Sequence, residues 1–249
     1  MVANKRNYYI LLVLFIFSSI TFSQVSASPT EELNSIIKQY FDAKNYKSCI
    51  EQLNYFINKY PNKSITISAM WKLAECYQKI GLHEKAISVL DGLAEKHKYT
   101  KYERLARLSI AYIYYSELRL YEKAYVCYKE LYEKLKNTNS EKSVLSFLIN
   151  ICEYTTRYEE GLTYIDILLK NYPAEKSFVY KYLPVKIDFL IKINKYSDAL
   201  ELCFKLLSLY NENQRQITPA ILAKKETVYS TIGELYLKLN DPGKSIHYY

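Results

Sequence analysis

A nine-residue phrase returns six times along this chain, and nothing else in the sequence constrains the fold as tightly. The copies are NYKSCIEQL from Asn45, LHEKAISVL from Leu82, LYEKAYVCY from Leu120, RYEEGLTYI from Arg157, KYSDALELC from Lys195 and DPGKSIHYY from Asp241. The fifth residue of each copy is small: Cys49, Ala86, Ala124, Gly161, Ala199 and Ser245, spaced 37, 38, 37, 38 and 46 residues apart. A period of this length marks a stack of supersecondary units, each too small to bury its apolar face without its neighbours.

Residues 67–98 show what one unit is. Met70, Leu73, Ala74 and Tyr77 recur at three- and four-residue steps, the period of one helix face, and Met70 is assigned to the packing seam. Gly81 marks a turn, and a second periodic run follows through Ala86, Leu90 and Leu93. Two amphipathic helices joined by a tight turn make a helical hairpin. Nine residues before each anchor stands a large or apolar residue (Tyr40, Tyr77, Tyr115, Cys152, Leu190, Tyr236), so the turn has one fixed length. Pro61 and Pro173 stand just past second helices, where proline cannot continue them.

On these residues the chain resembles the tetratricopeptide-repeat family, whose pattern runs W-x2-L-G-x2-Y, then A, F and P. The last copy matches through Ile232, Gly233, Tyr236 and Ser245, and the second through Leu73, Ala74, Tyr77 and Ala86. The third departs at Tyr112, and the fifth at Lys186 and at Pro184 near its first helix. The resemblance implies an all-α, right-handed α-solenoid with five complete repeats and a truncated sixth. Their bounds fall near 31–61, 67–98, 103–136, 142–173, 178–211 and 219–249, within a repeat domain over 28–249. It also implies a protein or peptide partner held in a concave groove. Groove candidates are first-helix residues facing away from the seam: Trp71, Glu75, Gln78, Lys79, Tyr112, Phe147, Asn150 and Tyr154. Family members that dock peptide C-termini use a lysine and asparagine clamp; here Lys72 stands beside Glu75 and no full set appears, so that activity is not carried over.

Residues 1–27 read separately. Lys5 and Arg6 precede an unbroken apolar run, Ile10–Phe17; Val25-Ser26-Ala27 offer a cut before Ser28, and Thr21-Phe22-Ser23 offer a second before Gln24. That order is a secretory signal peptide; eight apolar residues are too few to span a bilayer, which takes about 20. The mature chain is therefore expected to be exported, periplasmic or secreted from a bacterium, with no membrane span. Its removal lowers the net charge from +8 to +6, and the remaining lysines are interspersed with glutamates. No block of like charge suggests nucleic acid. The five cysteines are odd in number, far apart and within helices, so they read as buried thiols and not as a disulfide framework.

Catalytic patterns are missing. Three histidines lie at no metal-ligand spacing, and five glycines form neither a phosphate loop nor a nucleophile elbow. Acidic pairs such as Glu159-Glu160 fall at helix starts, where they favour the helix dipole. The chain therefore reads as no enzyme, without metal or small-molecule cofactor. The 28 tyrosines exceed what packing needs: the runs Tyr112, Tyr114, Tyr115 and Tyr121, Tyr125, Tyr128 are too dense for one buried stripe. The function expected is a non-catalytic interaction scaffold, in envelope assembly or secretion. The alternative is the sensory ectodomain of a longer signalling protein such as a membrane sensor kinase. Asp241 and Pro242 open a helix with few residues left, so an oligomer or a further domain is expected to cover that edge.

Overall fold

The computed structural model describes residues 27–212 and 219–248. All of the leader except Ala27 lies outside them. The described chain is all α, and its helices pair as hairpins. The first hairpin is α1 (Pro29–Ile36, continued by a π-helical turn over Ile37–Phe41) with α2 (Tyr46–Lys59). The next two are α3 (Ile65–Lys79) with α4 (His83–Lys96), and α5 (Lys101–Tyr112, then a π-helical turn over Ile113–Glu117) with α6 (Tyr121–Leu135). Then come α7 (Glu141–Tyr154) with α8 (Tyr158–Asn171), and α9 (Lys176–Lys192) with α10 (Tyr196–Glu212). The last is α11 (Pro219–Lys238) with the short α12 (Pro242–Tyr248).

One turn geometry explains the constant offset in the sequence. Lys44, Gly81, Arg119, Thr156, Asn194 and Asn240 all have positive φ, between 52° and 75°, and each lies five residues before its small anchor. A left-handed residue just past a helix lets a following N–H reach back to an orphan carbonyl. Asn45, Leu82, Arg157, Lys195 and Asp241 donate in this way to Tyr40, Tyr77, Cys152, Leu190 and Tyr236, over 2.8–2.9 Å. The acceptors are the large residues nine before each anchor, so one hydrogen bond sets the spacing. In the third hairpin Leu120 donates one residue further back, to Tyr114, over 2.8 Å. Gly81 adopts this conformation freely and Asn194 and Asn240 tolerate it, while Lys44, Arg119 and Thr156 adopt it at a cost.

The chain divides into two compact units, up to Val89 and from Leu90 onward. The first is built on Leu33, Ile36, Cys49, Leu53, Phe56, Ala69, Leu73 and Cys76, all buried. On α3 the seam is centred on Thr66, Ala69, Leu73 and Cys76, while Met70 is half-buried. This corrects the assignment of Met70 to the seam: Leu73 and Ala74 are buried where their spacing puts them, while the fully buried Ala69 takes the place expected of Met70. In the second unit, α5 to α9 close around Tyr128, Leu145, Leu148, Ile165 and Phe189, and α9 to α11 around Leu183, Ile187, Leu206, Val228 and Ile232. The anchors Cys49, Ala86, Ala124 and Ala199 are fully buried and Ser245 nearly so. Gly161 shows why they are small. A Cβ there would meet the buried Phe189 ring, 2.9 Å from Cδ2 and closer still to Cε2, with Cys152 Cβ at 3.1 Å.

Pro184 lies inside α9 and does not end it. Pro61 and Pro173 follow the last residues of α2 and α8 by two positions. Asp241 caps α12 by accepting from the Lys244 N–H over 3.2 Å, and Ile246 on that helix is 78% exposed.

Candidate functional site

The eight groove candidates fall into two sets, one in each unit. Trp71, Glu75, Gln78 and Lys79 lie on α3 in the first unit. Trp71 and Gln78 are half-buried and Lys79 is exposed at the helix end. Glu75 is not free to meet a cationic partner, because the Lys72 ammonium pairs with it at 2.7 Å. Lys72 in turn sits 3.9 Å from the centre of the Phe41 ring, which holds it in place.

The other four belong to the second unit, and there the structure assembles a site. Phe147, Asn150 and Tyr154 follow one another at helical steps along α7, and Tyr112 ends α5. Between them stand two tyrosines outside the predicted set: Tyr115 in the π-helical turn and Tyr121 at the start of α6. Their rings are joined edge to face or stacked. Tyr112 meets Phe147 at 6.1 Å between centroids, and Phe147 meets Tyr115 at 5.5 Å. Tyr115 meets Tyr154 at 6.3 Å, and Tyr154 stacks on Tyr121 at 4.3 Å with planes 5° apart. Phe147 is half-buried and stacks on the buried Tyr128 at 4.8 Å. It supports the ladder from below and is not a free anchor. Each such aromatic pair contributes about 0.5–1.5 kcal/mol beyond the area it buries, so the ladder is ordered before any partner arrives.

Exposure is greatest at the ladder's edges, 46% for Tyr112 and 57% for Tyr154. Tyr115 is half-buried, and burial pushes its phenol above the usual tyrosine range; the neighbouring Tyr154 adds to this and a hydrogen bond with Asn150 opposes it. The ladder itself offers flat ring faces, hydroxyls and one amide, with the Glu153 carboxylate nearby. Such a surface suits an apolar or aromatic side chain flanked by peptide groups.

Behind the ladder, charge fixes the helices that carry it. The Arg157 guanidinium donates to both Glu122 oxygens, at 3.1 and 2.9 Å, and lies 4.6 Å over the Tyr125 ring. The Tyr125 hydroxyl donates to Glu160. These contacts tie α6 to α8 beside the ladder, and burial, with Glu160 next, raises the Tyr125 phenol well above its ordinary value.

A second concavity was not legible in the sequence. It is a cavity of about 330 Å³ between α9, α10 and α11, lined by Pro184, Ile187, Ile191, Leu206 and Val228 among others. The cyclic Pro184 and the short Thr227 and Thr231 occupy positions on its wall where larger side chains would reduce it. Among the described residues no group of three or more His, Cys, Asp or Glu side chains could hold a metal ion. No described helix is long and apolar enough to cross a membrane.

Residues 68–98, the second hairpin, match the family model of the tetratricopeptide repeat. No curated protein matches the chain in sequence. Among solved structures it is similar to a tetratricopeptide repeat protein from Parabacteroides merdae. That match has a TM-score of 0.55 and 14% identity, and covers 87% of this chain and 77% of the other. It is also similar to BtubC from P. vanneervenii, with a TM-score of 0.52 and 14% identity over 90% of this chain and 89% of that one. At that identity the likeness establishes the fold, an all-α array of tetratricopeptide type.

Proposed function

We propose that this chain, a tetratricopeptide-repeat protein, is a non-catalytic scaffold that works outside the cytoplasm, in envelope assembly or secretion. Its partner is a protein or peptide seated on the aromatic ladder of the second unit. The ladder carries this reading. A folded chain exposes large rings at a cost, and a contiguous set of them held in fixed geometry is the kind of surface that anchors a partner. The ring pairs restrict the side chains beforehand, so less rotamer entropy is lost on binding. The basic, apolar, small-residue order of the first 27 residues supports export.

The test compares the two walls. Tyr121→Ala/Tyr154→Ala removes the stacked pair, and Trp71→Ala removes the ring on α3. Each variant is used to recover partners from an envelope extract, with circular dichroism as the control for folding. Loss of the partner from the double variant alone, with helicity intact, is the expected result. Unchanged recovery would move the site off the ladder. Mass spectrometry of the protein recovered outside the cytoplasm is expected to show a chain starting at Ser28; an intact Met1 in an envelope fraction would refute removal of the leader.

A further inference from the structure

We propose that the aromatic ladder takes a proline-rich segment of its partner, in the polyproline II conformation, with a basic residue beside the prolines. The inference rests on the reading of the ladder given above and names the chemistry of what it holds.

No strand edge lies among the described residues, so a bound segment cannot be held by adding to a sheet. It has to be held by side chains, and the ladder offers ring faces, phenol hydroxyls and the Asn150 amide. A segment laid on ring faces loses water from its backbone N–H groups, and the rings are weak acceptors in return. Proline has no N–H, so it lies against a ring without leaving a donor unpaired. Polyproline II has no internal hydrogen bonds, and its free carbonyls accept from the phenols and the amide.

The spacing of the rings fits the same conformation. Centroids step by 6.1 Å from Tyr112 to Phe147, 5.5 Å on to Tyr115 and 6.3 Å on to Tyr154. Polyproline II rises about 3.1 Å per residue, so two residues cover about 6 Å, one step of the ladder. About six residues at most reach from one exposed edge to the other. Both sides are stiff: the rings hold one another, and polyproline II is formed before it binds, so little conformational freedom is lost.

Charge adds direction. Glu153 stands between Asn150 and Tyr154 on α7, is exposed, and forms no ion pair among the described residues. Glu117 is exposed at the end of the π-helical turn that carries Tyr115, and likewise forms no ion pair among the described residues. Two carboxylates without cations beside an aromatic surface favour a lysine or arginine on the incoming segment.

The test measures fluorescence anisotropy of a labelled peptide, one lysine followed by nine prolines, titrated with the full chain. The control peptide carries alanine at every proline position. The proline peptide is expected to bind at least about ten-fold more tightly than the control. Tyr121→Ala/Tyr154→Ala, with helicity checked by circular dichroism, should weaken it by about ten-fold. Tyr154→Ala alone, at the exposed edge, should lower affinity as well and serves if the double variant unfolds. Glu153→Gln should weaken the lysine peptide about two- to five-fold at low salt and leave a lysine-free peptide unchanged. Equal binding of the proline and alanine peptides overturns the proposal. If the double variant still loses its envelope partner in that case, the ladder remains the docking surface and only the proline-rich segment is refuted. A proline peptide that binds the parent and the folded ladder variants alike refutes the ladder itself. An unchanged affinity in Glu153→Gln refutes the basic residue.

Discussion

Thr156→Gly should make the second unit more stable, although it deletes a side chain. Thr156 occupies the left-handed position of the α7–α8 turn at φ 56°, and it is exposed. For an L-residue that conformation costs about 1–2 kcal/mol. Glycine adopts it freely but has more freedom to lose from the unfolded chain, about 0.5–1 kcal/mol. The net gain is about 0.5–1 kcal/mol. The backbone bonds of the turn, Thr156 N–H to Glu153 and Arg157 N–H to Cys152, survive the change. The reciprocal variant is Gly81→Thr, at the same position of the α3–α4 turn in the first unit, at φ 75°. An added Cβ there meets nothing within 4 Å, so any loss comes from the backbone alone. The two changes should move stability in opposite directions by similar amounts. Because repeat arrays open locally, hydrogen exchange is the suitable assay. The Arg157 amide should exchange about three- to five-fold more slowly in Thr156→Gly, which is ~0.7–1 kcal/mol in a local opening equilibrium. The Leu82 amide should exchange faster in Gly81→Thr. A faster Arg157 amide, or no change in either variant, would show that the turns are not strained and that the shared φ does not set the repeat.

Three further outcomes follow from the packing. Gly161→Ala should cost about 1–3 kcal/mol by overpacking against Phe189 and Cys152, and urea unfolding should show it; an unchanged midpoint would mean that α8 and α9 can separate freely. Raising the pH should destabilise the fold from about pH 10 upward. Burial lifts the phenols of Tyr115, Tyr128, Tyr132, Tyr164 and Tyr210 above their ordinary value, so the unfolded chain loses those protons first and gains from the rise in pH. A melting temperature that holds steady between pH 9 and 11 would contradict those shifts. Arg157→Lys should loosen α6 against α8 by about 1 kcal/mol, since lysine cannot donate to both Glu122 oxygens or lie flat over Tyr125; a double-mutant cycle with Glu122→Gln reads the coupling.

Periodic features were legible in the sequence because periodicity is local. The small anchors, the inter-helix offset and the start of α12 at Pro242 all appear in the structure where their spacing put them. The turn conformation was not legible at three of its six positions, Lys44, Arg119 and Thr156. Asparagine visits the left-handed region readily, but lysine, arginine and threonine do not advertise a positive φ, and the neighbouring Schellman-type hydrogen bond imposes it on the residue that stands there. On α3 the seam was misread by one residue, because Met70 is larger than Ala69 while the close approach of helices selects the smaller side chain.

The candidate site divides along the same line. Phe147, Asn150 and Tyr154 share one helix face, and their alignment follows from the 3.6-residue period alone. Tyr121 stacks on Tyr154 from 33 positions away, and no local pattern links them. What joins them is the repeat itself. Tyr121 begins the second helix of one hairpin and Tyr154 ends the first helix of the next, so stacking the hairpins brings those two ends together. In an array of this kind, chemistry shared between neighbouring hairpins can be sought by aligning each second helix with the first helix that follows it. A search for composition or motif within one segment passes over such pairs.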